Sequence, residues 1–321
     1  MRRAGNRIRM TARLIDPWAG NELWADRFDR DLTDIFEVQD EITSLIVNLL
    51  AGRIARQHYL RVLDKSPDAI DAYDNTLKAM EHALRVSPDD NLLARRHLER
   101  AIEIDPGFAR AHAILALTYV NEGNNLWVED PSASFEAAYS AATSAVAADP
   151  RDPWSHAMLG IAQLWQRMGT DQAVASMRHA LALNPNNACF RGLLAYVLSY
   201  AGAHEEALSQ LKTAELQNPQ HPAVFLGFRA RALMLLGRYE EALPIAQRME
   251  TLMTGHSNAL SFLIVCYAAL GREAAARELA DRLASANPYY RLSTLRAYFL
   301  FARAQDLNVF LQSLASAGLP E

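Results

Sequence analysis

The sequence predicts a mainly α fold, a solenoid of stacked helix–turn–helix repeats preceded by a short β-hairpin and a long helix. Three observations lead there. One phrase recurs: Gly202-Ala-His-Glu-Glu-Ala207-Leu208, then Gly237-Arg-Tyr-Glu-Glu-Ala242-Leu243, then Gly271-Arg-Glu-Ala-Ala-Ala276, with a blurred copy at Gly169, Ala173 and Ala180. Each copy reads as a glycine that stops one helix and small residues at helical spacing that open the next. Joints of Asp or Asn with proline recur as well, at Pro106, Pro150, Pro185, Pro219 and Pro288, which stand 44, 35, 34 and 69 residues apart. The last interval is two periods, with Met253-Thr254-Gly255 where a proline would fall.

A period of about 34 residues with paired helices is that of the tetratricopeptide repeat, TPR. The chain resembles that family in detail between Ala188 and Pro219. Leu194 and Ala195 take its Leu-Gly place, Ala207, Leu211 and Ala214 its second-helix places, and Pro219 closes the unit. One repeat earlier, His156, Leu159 and Gly160 match the start of the motif. The resemblance implies an array of about six repeats over residues 69–288 and a protein or peptide as partner.

The elements follow in order. Arg7–Ile15 alternates polar with apolar residues and 22–28 does so more loosely, with Asp16-Pro-Trp-Ala-Gly20-Asn as a turn between them. That is a β-hairpin pattern, and a lone hairpin needs partner strands, so Met1 reads as a cut edge. Asp26, Asp29, Asp31 and Asp34 lack the glycine and distal glutamate of a calcium loop and read as a strand end and a helix cap. Ile35, Val38, Ile42, Leu45, Ile46 and Leu49 keep helical period and predict one long amphipathic helix, followed by a linker over 59–68.

Repeat one spans 69–106, with Tyr73, Leu77 and Met80 facing Ala94, Leu98 and Ala101. Repeat two begins at His112, Leu115, Ala116 and Tyr119 and carries an insertion of about ten residues at 121–131. Trp127 in that insertion has two readings, contact with a partner and packing on its own repeat. Repeats three to six run to Pro288, and a helix pair at 295–301 and 307–314 reads as a terminal cap over 289–321.

Residues 1–58 carry a second resemblance. Arg2-Arg-Ala-Gly-Asn-Arg-Ile-Arg-Met-Thr-Ala-Arg-Leu-Ile-Asp16, then Glu22-Leu-Trp-Ala-Asp-Arg-Phe-Asp-Arg-Asp-Leu32, then Asp34-Ile-Phe-Glu-Val-Gln-Asp-Glu-Ile-Thr43 is similar to the end of the TolB-like (FlgO-like) α/β module of bacterial multidomain proteins. In that family the module precedes TPR arrays and follows a class III adenylate or guanylate cyclase domain or a winged-helix DNA-binding domain. The closing Leu314-Ala-Ser-Ala-Gly-Leu-Pro-Glu321 also resembles the end of the cyclase-associated chains. The resemblance implies a signalling architecture, not a chemistry in this chain.

Composition narrows the functions. A net charge of −5 and a pI near 6.0 give no cationic field for nucleic acid. Cys189 and Cys266 sit at core-like helical positions in different repeats and read as small buried hydrophobes. No signal peptide precedes the array, and the longest apolar stretch, 260–270, is too short to span a bilayer, which points to a cytoplasmic protein. No phosphate-binding glycine loop, zinc-type His/Cys spacing or nucleophile elbow is present, so no catalytic, metal or cofactor residue is assigned.

In a solenoid of this kind the first helices line the concave groove. Register places Arg110, Ala113, Leu117 and Val120 there, then Trp154, Ala157, Ile161, Leu164 and Trp165, then Cys189, Tyr196, Ser199 and Tyr200, with Asn258 and Ser261 from the sixth repeat. The fifth repeat is ambiguous by one residue. The groove is apolar and aromatic and lacks the Lys, Arg and Asn groups that grip acidic chaperone tails. The expected function is therefore a non-enzymatic interaction or regulatory module binding a peptide or protein, with Trp127, Trp154, Ile161, Trp165, Tyr196 and Tyr200 as contacts. These aromatics read equally well as core between helices. The alternative is the C-terminal regulatory part of a nucleotide cyclase or, third, of a winged-helix regulator.

Overall fold

The computed structural model describes the backbone of β1 (Arg2–Ala4), β2 (Arg7–Ile15) and β3 (Glu22–Asp31), and residues 67–321. Among the described residues the strands form one antiparallel sheet in the order β1-β2-β3. The predicted hairpin is β2 and β3, with Arg7 opposite Asp31 and Leu14 opposite Trp24, and β1 adds a third strand on β2. The predicted long helix over 35–49 lies outside the described residues.

From Pro67 onward the chain is a TPR-type solenoid of paired helices. The pairs are α1 (Pro67–Ala83) with α2 (Pro88–Ile104), α3 (Ala109–Asn124) with α4 (Ser132–Ala148), and α5 (Pro153–Trp165) with α6 (Thr170–Leu183). They continue as α7 (Ala188–Tyr200) with α8 (His204–Gln217), α9 (Val224–Leu235) with α10 (Tyr239–Leu252), and α11 (Ser257–Ala269) with α12 (Glu273–Ala286). The last pair is α13 (Leu292–Tyr298) and α14 (Ala304–Ser316), with α14 packed on α11.

Two local devices repeat. Each first helix ends in a residue of left-handed backbone that turns the chain into the second helix: Gly202 (φ +83°), Gly237 (+75°) and Gly271 (+72°) in repeats four to six. The next N–H then reaches back five residues, from Ala203 to Leu198 O at 3.0 Å, Arg238 to Leu233 O at 2.9 Å and Arg272 to Tyr267 O at 2.8 Å, closing orphan carbonyls. In repeats two and three the same place is held by Leu126 and Arg167, at φ +51° and +58°. The blurred copy at Gly169 is thus out of phase: Arg167 makes the turn, and Gly169 precedes α6.

Four of the joints between repeats are Asx turns. The side chains of Asp105, Asp149, Asn218 and Asn287 each accept from the backbone N–H two residues on, at 2.9–3.2 Å. Proline at the intervening position donates no hydrogen bond and fixes φ, so the chain leaves one helix at a defined angle.

Glycine also marks the tightest helix approaches. A Cβ on Gly192 of α7 would lie 2.1 Å from Cζ of Phe225 in α9, and one on Gly160 of α5 would lie 2.8 Å from the Ala173 carbonyl oxygen of α6. Gly237, by contrast, has open space around it and needs glycine only for its backbone. Gly192→Ala should therefore cost about 3 kcal/mol through overpacking. Gly237→Ala should cost about 1 kcal/mol through left-handed strain, and thermal unfolding of the two variants separates the mechanisms.

Candidate partner-binding surface

The helix ends settle the register that the sequence left open. Counting back four residues from the last residue of α3, α5, α7, α9 and α11 gives Val120, Ile161, Tyr196, Arg231 and Val265. The final residues of α5 and α7 are Trp165 and Tyr200. These side chains are buried, and Val120, Ile161, Tyr196 and Arg231 line one cavity: Ile161 is 2 % exposed, Trp165 and Tyr196 4 %, and Tyr200 1 %.

The chain itself covers them. Between α13 and α14 the predicted helix over 295–301 stops at Tyr298, and Phe299 is extended (φ −78°, ψ 126°). Its ring stands edge-on to Trp165 at 5.7 Å, and the Phe301 ring lies 4.8 Å from Tyr200. The Ala302 N–H donates to the Tyr200 carbonyl at 2.8 Å, Tyr298 Oη to Asp130 at 3.0 Å, and Arg167 to the Ala297 carbonyl. Beyond the segment, Asp306 Oδ2 meets His204 Nε2 at 2.9 Å, with both residues buried. The segment thus runs past the turns of repeats two to four and ties the end of the array to its middle. It departs from a helix because extended backbone lets successive aromatics reach the ends of α5 and α7.

The insertion after α3 makes a second crossing. Asn125 accepts from Asn258 Nδ2 at 3.1 Å through its side chain and from Asn287 Nδ2 at 2.9 Å through its carbonyl. Repeat two is thereby joined to repeat six. Leu126 is fully buried, while Trp127 is half-buried in the wall of an open groove with Arg85, Pro88, Met253 and Tyr289, of about 510 Å³. Trp154 is half-buried too, edge-on to Phe190 at 5.2 Å, with the Arg110 guanidinium 5.9 Å from its ring. So of the six expected contacts, Trp127 and Trp154 keep solvent access, Ile161 is buried, and Trp165, Tyr196 and Tyr200 join one aromatic cluster with Phe299 and Phe301.

Inside the curve of first helices a cavity remains, with about 60 Å³ open to water and Tyr196, Phe228, Arg231, His256 and Asn258 among its walls. Arg231 donates to Tyr200 Oη at 3.1 Å and lies 4.4 Å from the Tyr200 ring and 4.8 Å from that of Tyr196. Burial raises the pKa of both phenols, so they remain neutral donors. Burial also pushes Cys189 and Cys266 up to about 12, which leaves inert thiols. Among the described residues no cluster of His, Cys, Asp and Glu could hold a metal, and no helix is long and apolar enough to cross a membrane.

Sequence reasoning missed Arg231, Asn125 and the Phe299–Phe301 pair. Arg231 carried a signal, a charge inside the apolar run of α9. The other two come from crossings between distant repeats, which periodicity does not report.

Desolvation lowers His256 to about 4. The unfolded chain therefore binds a proton near pH 6.5 that the folded chain refuses until about 4, and stability falls as pH drops through that window. His256→Gln should remove about 2 kcal/mol of this acid loss, read from unfolding at pH 7 and pH 5.

The comparisons bear on the repeats and the fold. The tetratricopeptide repeat family matches residues 170–232 and 233–297. A curated protein of Rhizobium meliloti (strain 1021) described as a putative adenylate cyclase 3 is 37% identical over 167 residues. That match covers 52% of this chain and 28% of the relative, so the chain spans less than a third of that protein. The crystal structure of the APC/C hetero-tetramer Cut9-Hcn1 superposes with a TM-score of 0.53 at 15% identity, covering 84% of this chain and 46% of that one. A thermophilic TPR protein of Thermus thermophilus gives 0.44 at 23% identity, covering 62% and 98%. The chain carries tetratricopeptide repeats, folded as a TPR-type solenoid.

Proposed function

We propose that the chain is a non-enzymatic interaction module that binds a protein or peptide on the inner ends of its first helices, in competition with its own C-terminal segment. One observation carries this reading. The stretch Phe299-Leu300-Phe301-Ala302, extended at Phe299, already lies against Trp165 and Tyr200, and the Ala302 N–H makes a backbone hydrogen bond there. A surface that holds one extended aromatic segment by ring packing can hold another. Trp154 and Trp127, which keep solvent access, extend that surface at its edges.

The test uses a labelled peptide of residues 297–303 and two full-length proteins, the natural chain and the double variant Phe299→Ala/Phe301→Ala. Loosening the internal segment should raise the affinity for the peptide by about tenfold or more. Equal and negligible binding to both proteins contradicts the proposal.

A second reading is favoured by the Rhizobium meliloti match: the repeats regulate a nucleotide cyclase of which this sequence is the C-terminal part. The mass of the native polypeptide distinguishes the readings. A species near 35.7 kDa supports a free-standing adaptor, and a much heavier one supports the regulatory tail.

A further inference from the structure

The interior cavity has a one-sided polar character. Arg231 is 5 % exposed, and its Nε and Nη2 groups have no acceptor. His256 accepts from the Asn258 N–H through Nδ1 at 3.2 Å, so the neutral ring carries its hydrogen on Nε2, which is also buried and unpaired. Both residues line the same cavity. Among the described residues no carboxylate lines it, and Arg231 forms no ion pair. Asp306, whose charge is felt with that of Arg231 at His204, is engaged by His204 at 2.9 Å.

The tyrosine rings do not relieve this. The guanidinium lies 4.8 and 4.4 Å from the Tyr196 and Tyr200 rings and Nη1 donates to Tyr200 Oη, but the N–H groups of Nε and Nη2 still need oxygen acceptors. A buried cation with two of its three nitrogens unpaired is costly, and Val120, Ile161, Tyr196 and Val265 show that its position accepts neutral side chains elsewhere in the array. The unpaired groups in the wall are all donors, and the free Nε and Nη2 of Arg231 form a fork of the kind that fits a carboxylate. Of the rest of the wall, Asn121, Asn124, Asn125 and Asn258 are polar and the remainder is apolar, including Leu117, Val120, Leu193, Phe228 and Phe262. About 60 Å³ of water-accessible space holds roughly four waters, or a carboxylate with a short hydrocarbon body. That is too little for several residues of a peptide.

We propose that this cavity is a binding site for a small apolar monocarboxylate, held by the Arg231 fork with His256 as a further donor. The site adjoins the aromatic cluster that Phe299 and Phe301 join: Tyr196 belongs to both, and Arg231 donates to Tyr200.

The experiment is calorimetric titration of the full chain at neutral pH with hexanoate, hexanol and a tetrapeptide ending in leucine with a free carboxylate. Hexanoate should bind and raise the unfolding temperature, and hexanol should not. Arg231→Met should weaken hexanoate by at least about tenfold while leaving the unfolding temperature of the ligand-free protein no lower, because an unpaired buried charge has been removed. If Arg231→Met fails to fold, Arg231→Lys keeps the charge but loses the fork and should still weaken hexanoate. No hexanoate binding at millimolar concentration, equal binding of hexanol, or hexanoate binding unchanged by the Arg231 variants overturns the proposal. Arg231-dependent binding of the tetrapeptide without hexanoate binding also overturns it, and would join Arg231 to the peptide surface.

Discussion

The inner face of the array depends on one aromatic cluster. Trp165 and Tyr200 stand at the ends of neighbouring first helices, 5.3 Å apart and edge to face, and Phe299 and Phe301 from the far end of the chain pack against them. A TPR solenoid is ordinarily a stack in which each repeat touches only its neighbours. Here contacts between repeats two and six, through Asn125, and between the C-terminal segment and repeats two to four add closure over long sequence distances. Closure changes what the inner surface can do: its aromatics are engaged already, and the cavity behind them is bounded on several sides.

The rest of the architecture makes that closure possible. A left-handed residue at the turns and an Asx turn at four of the joints repeat nearly the same local geometry along the array. Small residues let the helices approach: Gly192 receives the ring of Phe225, and Gly160 meets the carbonyl of Ala173. Arg167 and Leu126 adopt the same left-handed turn without glycine. Both have a reason to be there, since Arg167 donates to the Ala297 carbonyl near the end of α13 and Leu126 is a fully buried residue of the insertion.

Much of the fold was legible in the sequence because repeats write their period into it. The phrases at Gly202, Gly237 and Gly271 and the Asx-Pro joints located the pairs from repeat four onward closely. The phrase at Gly169 misled by two residues because a non-glycine residue makes that turn. The surface was legible in part. Trp165, Tyr196 and Tyr200 were placed on the inner face by register, but periodicity is blind to which distant segment covers them. Arg231 stayed hidden because α9 is apolar on nearly every side and so gives no periodic signal for its facing, whereas its ending at Leu235 fixes the register at once.

The central claim, that the C-terminal segment is seated on the inner aromatic face, is tested most directly by a double-mutant cycle between Trp165→Ala and Phe299→Ala in thermal or denaturant unfolding. The account predicts a coupling of about 1 kcal/mol, as for an edge-to-face pair in a buried cluster. Strict additivity of the two substitutions would mean that the rings do not meet in solution, and would contradict it.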